Sequence, residues 1–237
     1  MNGNSGCKLE LIKGVVRKTS PSTEYNPRLL KQVEKQDAFK HPEIFTPKIY
    51  DMGKTCGLVY FDMEYISGQS LYQFCKTNTF KSIERLLHPF TTSKYSNKSC
   101  KKEIRNKCES LAGFPMEILD YFDLTLPTGS CHGDATFENI LIKNDTMYLI
   151  DFLDSYVESP SIDQSKIMQD SFCGWSYRHS RNKPLHNLVM INEMFESRIN
   201  YLLLLINLYR IIPYSLNNTE QNSWIQKNIK KVMTEIS

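Results

Sequence analysis

The sequence predicts an α+β chain of two unequal lobes, a small strand-rich one over residues 1–66 and a larger, mostly helical one over 67–237. Three observations predict it. Alternating, β-branched stretches concentrate before Gly68, with one helical stretch among them. Helical patterns dominate after Ser67-Gly68. A single tight hairpin, ILIKNDTMYLID, interrupts the helical part.

The elements follow in order. KLELIKGVVRKTS (8–20) alternates around Gly14 and reads as a hairpin with Val15–Thr19 as its second strand. In YNPRLLKQVEKQDAFKH, Asn26 is placed to cap a helix and Pro27 suits its first position, with Leu30, Val33 and Ala38 at helical spacing. PKIYDMG and GLVYFDMEYI read as extended segments. Helices are expected in SLYQFCKT and KSIERLLHPF, then, beyond a polar segment at 91–103, to about residue 124. Pro127 breaks that pattern. The hairpin turns at Asn144-Asp145, and a long helix is expected from about 187 to 212, stopping near Pro213.

Composition excludes several classes. Hydrophobic residues make up 41% and charged residues 23%, ordinary for a globular protein. YLLLLINLY (201–209) is shorter than the roughly 20 apolar residues a membrane span needs and reads as a buried helix. A net charge of +3 is too small to indicate a nucleic-acid partner. Lys94, Lys98, Lys101, Lys102, Arg105 and Lys107 form one basic cluster, either a solvated face or an attractor for an anionic substrate. The first residues lack the basic start and apolar stretch of a secretory signal. Seven cysteines without a CxxC pair argue against a zinc ribbon, and reduced thiols in a cytoplasm are expected.

The chemistry concentrates at CHGDATFENILI (131–142). Phosphoryl transfer needs a carboxylate to orient and deprotonate the attacking hydroxyl, oxygen ligands for magnesium, and a cation on the nucleotide phosphates. The spacing H-x-D-x-x-x-x-N supplies the first two in kinases. His132, Asp134 and Asn139 reproduce it, and MYLIDF delivers a second metal ligand, Asp151, one hairpin later.

HGDATFENILI followed by LIDFLDS resembles the aminoglycoside phosphotransferase and choline kinase family. The resemblance implies a bilobal protein-kinase-like fold and transfer of the γ-phosphate of ATP or GTP to a small-molecule hydroxyl. Glycine after the histidine and Leu153 after Asp151-Phe152 favour this branch over protein kinases. By resemblance Asp134 is the catalytic base, His132 braces the loop, and Asn139 and Asp151 hold Mg2+. VVRKTS resembles the strand carrying the phosphate-gripping lysine, Lys18, with Arg17 on the opposite face. Glu34 becomes its ion-pair partner, with Glu24 and Glu43 as rivals. The backbone of Met63, Glu64, Tyr65 and Ile66 would meet the adenine, and Gly68 would open the second lobe.

The chain opens directly into NGNSG, without the first strand family members carry, and Ser5 and Gly6 belong to a possible phosphate-covering loop or to an unstructured terminus. Asp154 is either a metal-site helper or a turn cap, and Asp163 is expected to cap the next helix. Trp175, Tyr177 and Arg178 fall where the family builds its acceptor pocket, or belong to core and surface. The expected function is a Mg2+- and ATP- (or GTP-) dependent kinase. Its acceptor would be a sugar-like surface-polysaccharide precursor, choline or ethanolamine. Alternatives are a nucleotide-binding module without turnover and an aminoglycoside-modifying enzyme, the latter disfavoured because Glu193, Glu196 and Glu220 are scattered.

Overall fold

The computed structural model describes residues 6–91 and 96–237. It is an α+β molecule with a small antiparallel sheet at its N-terminal end and a larger helical part behind it. Strands β1 (Lys8–Ile12) and β2 (Val15–Thr19) form the expected hairpin. Its two turn residues, Lys13 and Gly14, both have positive φ (49° and 83°). That mirror-image turn matches the twist of the flanking strands.

Helix α1 (Asn26–Ala38) follows, with Tyr25 rather than Asn26 at its N-cap and no side chain capping it. Asn26 has another task. Its amide donates to Gly57 O (2.8 Å), and its Oδ1 accepts from Val59 N (2.9 Å), tying the helix start to the next hairpin. After a short strand β3 (Ile44–Phe45), that hairpin consists of β4 (Ile49–Thr55) and β5 (Leu58–Glu64). The first sheet runs β1-β2-β5-β4. Alternate residues of β5, Val59, Phe61 and Met63, point down onto Leu29 and Val33 of α1, and Cys7 completes this small core. Full burial of an aliphatic side chain such as Leu29 contributes roughly 1.5–3 kcal/mol.

The helical part contains β6 (Gln69–Ser70), α2 (Leu71–Thr77), α3 (Phe80–Leu87), β7 (Asn97–Ser99), α4 (Lys101–Glu109) and β8 (Thr125–Pro127). The hairpin β9 (Ile140–Lys143) and β10 (Thr146–Leu149) comes next, turning at Asn144 and Asp145 with φ 50° and 57°. Helices α5 (Pro160–Ser171), α6 (Leu185–Phe195), α7 (Arg198–Ile211) and α8 (Thr219–Ile236) complete the chain. A second sheet runs β3-β10-β9-β6, with β3 parallel to β10.

Two helix expectations are corrected, and one strand had not been expected. The helix expected to residue 124 ends at Glu109, and a 3-10 turn at Met116–Tyr121 and the pairing of β8 with β7 take the remainder. The helix expected over 187–212 is two helices. Ser197 is extended and caps α7 by accepting from Asn200 N (3.2 Å), while Asn200 Nδ2 closes the end of α6 on Phe195 O (2.7 Å). The strand β3 had no separate signal in two residues. Helix α7 is buried on every face from Asn200 to Leu208, as a helix apolar all round must be. Among the described residues no helix is long and apolar enough to cross a membrane.

Candidate active site

The HGD loop is held by buried groups on every side. Asp163 on α5 accepts from the backbone N–H of His132 (2.7 Å) and of Gly133 (2.8 Å). Further along α5, Asp170 accepts from Phe137 N (2.6 Å) and Ser176 N (2.6 Å). Burial pushes the Asp163 carboxyl up to about 7 and that of Asp170 up to about 6, against the pull of these amides. Asp163 is therefore a clamp on the loop and not the cap of its own helix; Ser159 caps α5 by accepting from Ser161 N (3.2 Å).

His132 is fully buried against Phe152, ring centroids 4.3 Å apart. Its Nδ1 accepts from Asp134 N (3.1 Å), which leaves Nε2–H to donate to Ile150 O (2.7 Å). Burial drives its pKa down to about 4, so the ring is neutral near pH 7 and braces both ends of the loop. Gly133 has a steric reason. At φ 87° a Cβ there would come within 2.2 Å of Leu153 O, because Leu153 N donates to His132 O (3.0 Å) and draws that stretch of chain alongside.

Asp134 and Asn139 meet directly. Asn139 Nδ2 donates to Asp134 O (2.9 Å) and to Asp134 Oδ2 (3.1 Å). Asn139 O accepts from Ile150 N (3.0 Å), joining the loop to the end of β10. Asp134 Oδ1 faces a cation that the sequence motifs did not single out, Lys166 of α5, with Nζ at 3.0 Å. Burial alone would raise the Asp134 carboxyl. The charge and hydrogen bond of Lys166 outweigh it, with His132 and Arg210 adding, and the net displacement is below the usual carboxylate range. The missed signal lay in α5 itself: a lysine in PSIDQSKIMQDS, flanked by Ile162, Ile167 and Met168, needs a buried counter-charge.

Lys18 projects from β2 into the interior, 3% exposed. Its Nζ donates to Gln32 Oε1 (3.0 Å) and pairs with Asp151 Oδ1. Glu34 does not take part. Helix α1 turns Leu29, Gln32, Val33 and Gln36 toward the sheet, and at 100° per residue Glu34 falls on the solvent side. Arg17 lies on the other face of the strand, with both arms on Asp62 (2.7 Å each). Asp151 leaves the β10 segment at φ 67°, a conformation aspartate tolerates better than most residues. Asp154 pairs with Lys31 at 3.1 Å on an exposed surface.

The donor set suits magnesium. The Asn139 amide nitrogen is committed to Asp134, which directs its oxygen elsewhere, and Asp151 keeps a carboxylate that is 42% exposed. These are two hard oxygen donors, and magnesium takes one or two such protein ligands with phosphates and water completing its shell. Among the described residues no cluster of three or more histidine, cysteine or acidic side chains forms an all-protein metal cage. All seven cysteines are free.

With these elements placed, the comparison with solved structures decides the fold. The aminoglycoside phosphotransferase APH(4)-Ia superposes with a TM-score of 0.64 at 12% identity, covering 100% of this chain and 92% of that one. This chain has the aminoglycoside phosphotransferase fold. A thermostable mutant of APH(4)-Ia, in a ternary complex with AMP-PNP and hygromycin B, gives 0.61 at 14% identity, covering 93% and 86%. A putative fructosamine-3-kinase from Haemophilus somnus 129PT gives 0.61 at 11% identity, covering 100% and 89%. No protein-family model matches the sequence, and no curated protein sequence matches it significantly.

Within the phosphotransferase fold, the remaining expected residues separate. Met63 and Glu64 end β5, Glu64 N donating to Lys48 O (2.8 Å); Tyr65 is exposed and Ile66 buried. Gly68 lies against β9, where a Cβ would meet Ile142 O at 2.6 Å, so the passage into the second sheet requires glycine. Gly6, at φ 77°, precedes β1 at the end of the hairpin where Leu9 pairs with Lys18. Ser5 lies outside the described residues. Tyr177 is fully buried, donating to Tyr72 O (2.7 Å), and is core rather than pocket. Trp175 meets Trp224 edge-on (5.4 Å) and lies under the Arg178 guanidinium (4.1 Å).

Proposed function

We propose that the protein is a small-molecule kinase that moves the γ-phosphate of ATP or GTP to a hydroxyl group, with Asp134 as its base. The observation that carries this is the contact of Asp134 Oδ2 with Asn139 Nδ2 (3.1 Å), in a loop whose far end meets the strand leading into Asp151. Residues 1–66 would grip the nucleotide, and residues 67–237 would carry the base, the metal ligands and the acceptor. The neighbour solved with AMP-PNP and hygromycin B supports a nucleotide and a hydroxyl compound as the two ligands.

The chain's own groups have distinct tasks in this reading. Lys18 grips the nucleotide phosphates from a buried position, its ammonium steadied by Gln32. The backbone at Met63, Glu64, Tyr65 and Ile66 meets the nucleotide base, and Gly6 approaches the phosphates. Asn139 and Asp151 would hold Mg2+, which supplies neutralisation of the charge on the β- and γ-phosphate oxygens. Asp134 orients the acceptor hydroxyl and accepts its proton as the oxygen–phosphorus bond forms and the β–γ bridging bond breaks. His132 keeps the loop in register without exchanging a proton. The positive potential of Lys166 and Arg210 at Asp134 suits a neutral or anionic hydroxyl compound, such as a sugar-like metabolite, better than choline or a polycationic aminoglycoside.

The test is nucleotide consumption by the purified protein against a panel of hydroxyl compounds, with Asp134→Asn beside it. Acceptor-stimulated turnover that falls at least about a hundredfold in the variant is expected. Nucleotide binding without turnover, equal in both proteins, would establish a binding module instead.

A further inference from the structure

Lys166 takes no part in the transfer step described above beyond its potential at Asp134, and its position asks for more. It stands in α5, where every residue from Pro160 to Ser171 except Gln164 is buried. Its side chain is 7% exposed, yet it ends in an ammonium beside Gln169 Oε1 (3.2 Å) and Asp134 Oδ1 (3.0 Å). A charge in such surroundings is costly unless a partner of opposite sign meets it.

Asp134 is a poor final partner. With Lys166 on Oδ1 and Asn139 on Oδ2, both carboxylate oxygens are engaged at once. A base must present one oxygen within about 2.6–3.2 Å of the hydroxyl whose proton it takes. Each oxygen keeps a second lone pair, but an ammonium on Oδ1 lowers its basicity and crowds the approach of a hydroxyl, so withdrawal of a donor favours turnover. Asn139 is fixed by its further bonds to Asp134 O and Ile150 N. The lysine, on a flexible four-carbon stem, is the group that can move.

The direction of that movement follows from charge. A reacting hydroxyl lies about 3–3.5 Å from the phosphorus it attacks, so the γ-phosphoryl oxygens come close to an ammonium that touches the base. The loop residues between Asp134 and Asn139, Ala135, Thr136, Phe137 and Glu138, supply no cation there. Lys18 is given the α- and β-phosphates, the place of the strand lysine in kinases, and Arg210 is held by Asn207 Oδ1 (3.3 Å) near the Tyr156 ring.

We propose that Lys166 is a catalytic residue of this same kinase reaction: on arrival of the nucleoside triphosphate its ammonium transfers from Asp134 Oδ1 to the γ-phosphoryl oxygens, uncovering the base and neutralising the group being moved. The inference rests on the kinase reading. Lys166 neither gives nor takes a proton in the step. The hydroxyl proton passes to Asp134 Oδ1, the acceptor oxygen bonds to phosphorus, and the bridging electron pair leaves with the nucleoside diphosphate.

Binding measurements test this without any knowledge of the acceptor. Dissociation constants for magnesium with AMP-PNP and with ADP are measured by calorimetry for wild type, Lys166→Met and Lys166→Arg. AMP-PNP should weaken about tenfold or more in Lys166→Met, ADP should change less than about twofold, and Lys166→Arg should recover part of the difference. Equal weakening of both nucleotides, or of neither, overturns the proposal while leaving the kinase reading intact. Wild-type protein that binds neither nucleotide overturns both. Should the methionine variant not fold, the Cε resonance of Lys166 in isotope-labelled wild type answers the same question. It should move with AMP-PNP and not with ADP, and indifference to the γ-phosphate rejects the assignment.

Discussion

Lys18 and Asp151, separated by 133 residues of sequence, are brought into an ion pair between the first sheet and the strand that ends the HGD hairpin. The lysine has a second partner in Gln32 of α1, an uncharged group, so its charge is balanced by Asp151 and not by helix α1. In the proposed kinase, nucleotide grip by Lys18 would depend on the approach of the two parts that this pair joins.

The role of Gln32 separates cleanly from that of Glu34. Gln32→Leu leaves the buried ammonium of Lys18 short of a hydrogen bond and should cost roughly 1–3 kcal/mol of stability. Glu34→Ala, on the exposed face, should stay within about 0.5 kcal/mol. Urea denaturation of the two variants measures both, and a larger effect at Glu34 would restore the acidic partner.

Two glycines with the same backbone twist should respond differently. Gly133→Ala places a Cβ 2.2 Å from Leu153 O, whereas a Cβ on Gly14 meets nothing within 4 Å. Both have positive φ, 87° and 83°. Gly14→Ala should cost about 1–2 kcal/mol from the left-handed backbone alone. Gly133→Ala should cost more and should also abolish turnover, because Leu153 and the loop must part. Thermal unfolding of both variants, with a turnover assay on the second, measures the contrast.

The neutral, buried His132 carries a pH signature. Its pKa lies near 4 in the folded protein, pushed down mainly by burial, against 6.5 as the ordinary value. Between those values the unfolded chain binds the proton more tightly, so this contribution is full above pH 6.5 and is lost as pH falls toward 4. Its size is on the order of 3 kcal/mol, at about 1.4 kcal/mol per pH unit. Asp163 and Asp170, displaced upward, work in the opposite sense as pH rises through about 6 to 7. The difference between wild type and His132→Asn, followed by urea melts at about pH 7, 6 and 5, isolates the histidine. A constant difference would refute the assignment.

Asp163 grips two amides with two oxygens, which asparagine cannot do. Asp163→Asn turns one acceptor into a donor facing an N–H group, and should cost about 1–3 kcal/mol together with a large fall in turnover. Calorimetric unfolding and a turnover assay report the two effects separately.

What the sequence revealed and what it hid follow one division. Short-range patterns were legible: the hairpins at Gly14 and at Asn144-Asp145, the start of α1 to within one residue, and the sequence spacing of His132, Asp134, Asn139 and Asp151. Partners that meet only after packing were not. Charge favoured Glu34 over Gln32, although the angular position of Gln32 beside Leu29 and Val33 was available in the helix period. Asp163 looked like a helix cap because its partners lie some thirty residues earlier. Lys166 gave a weaker signal, a lone cation on an otherwise buried helix, and its meaning depended on where α5 packs.

The two-residue strand β3 has a mechanical consequence. The chain enters the second sheet at Ile44–Phe45, beside β10, returns to build β4 and β5, and crosses again at Gly68 beside β9. The covalent chain thus ties the two sheets at two places. A body pinned at two points swings about the line that joins them, like a door on a pair of hinges. In the proposed kinase, opening and closing over a nucleotide would be steered into one direction of travel, with the Lys18–Asp151 pair making or breaking as it proceeds.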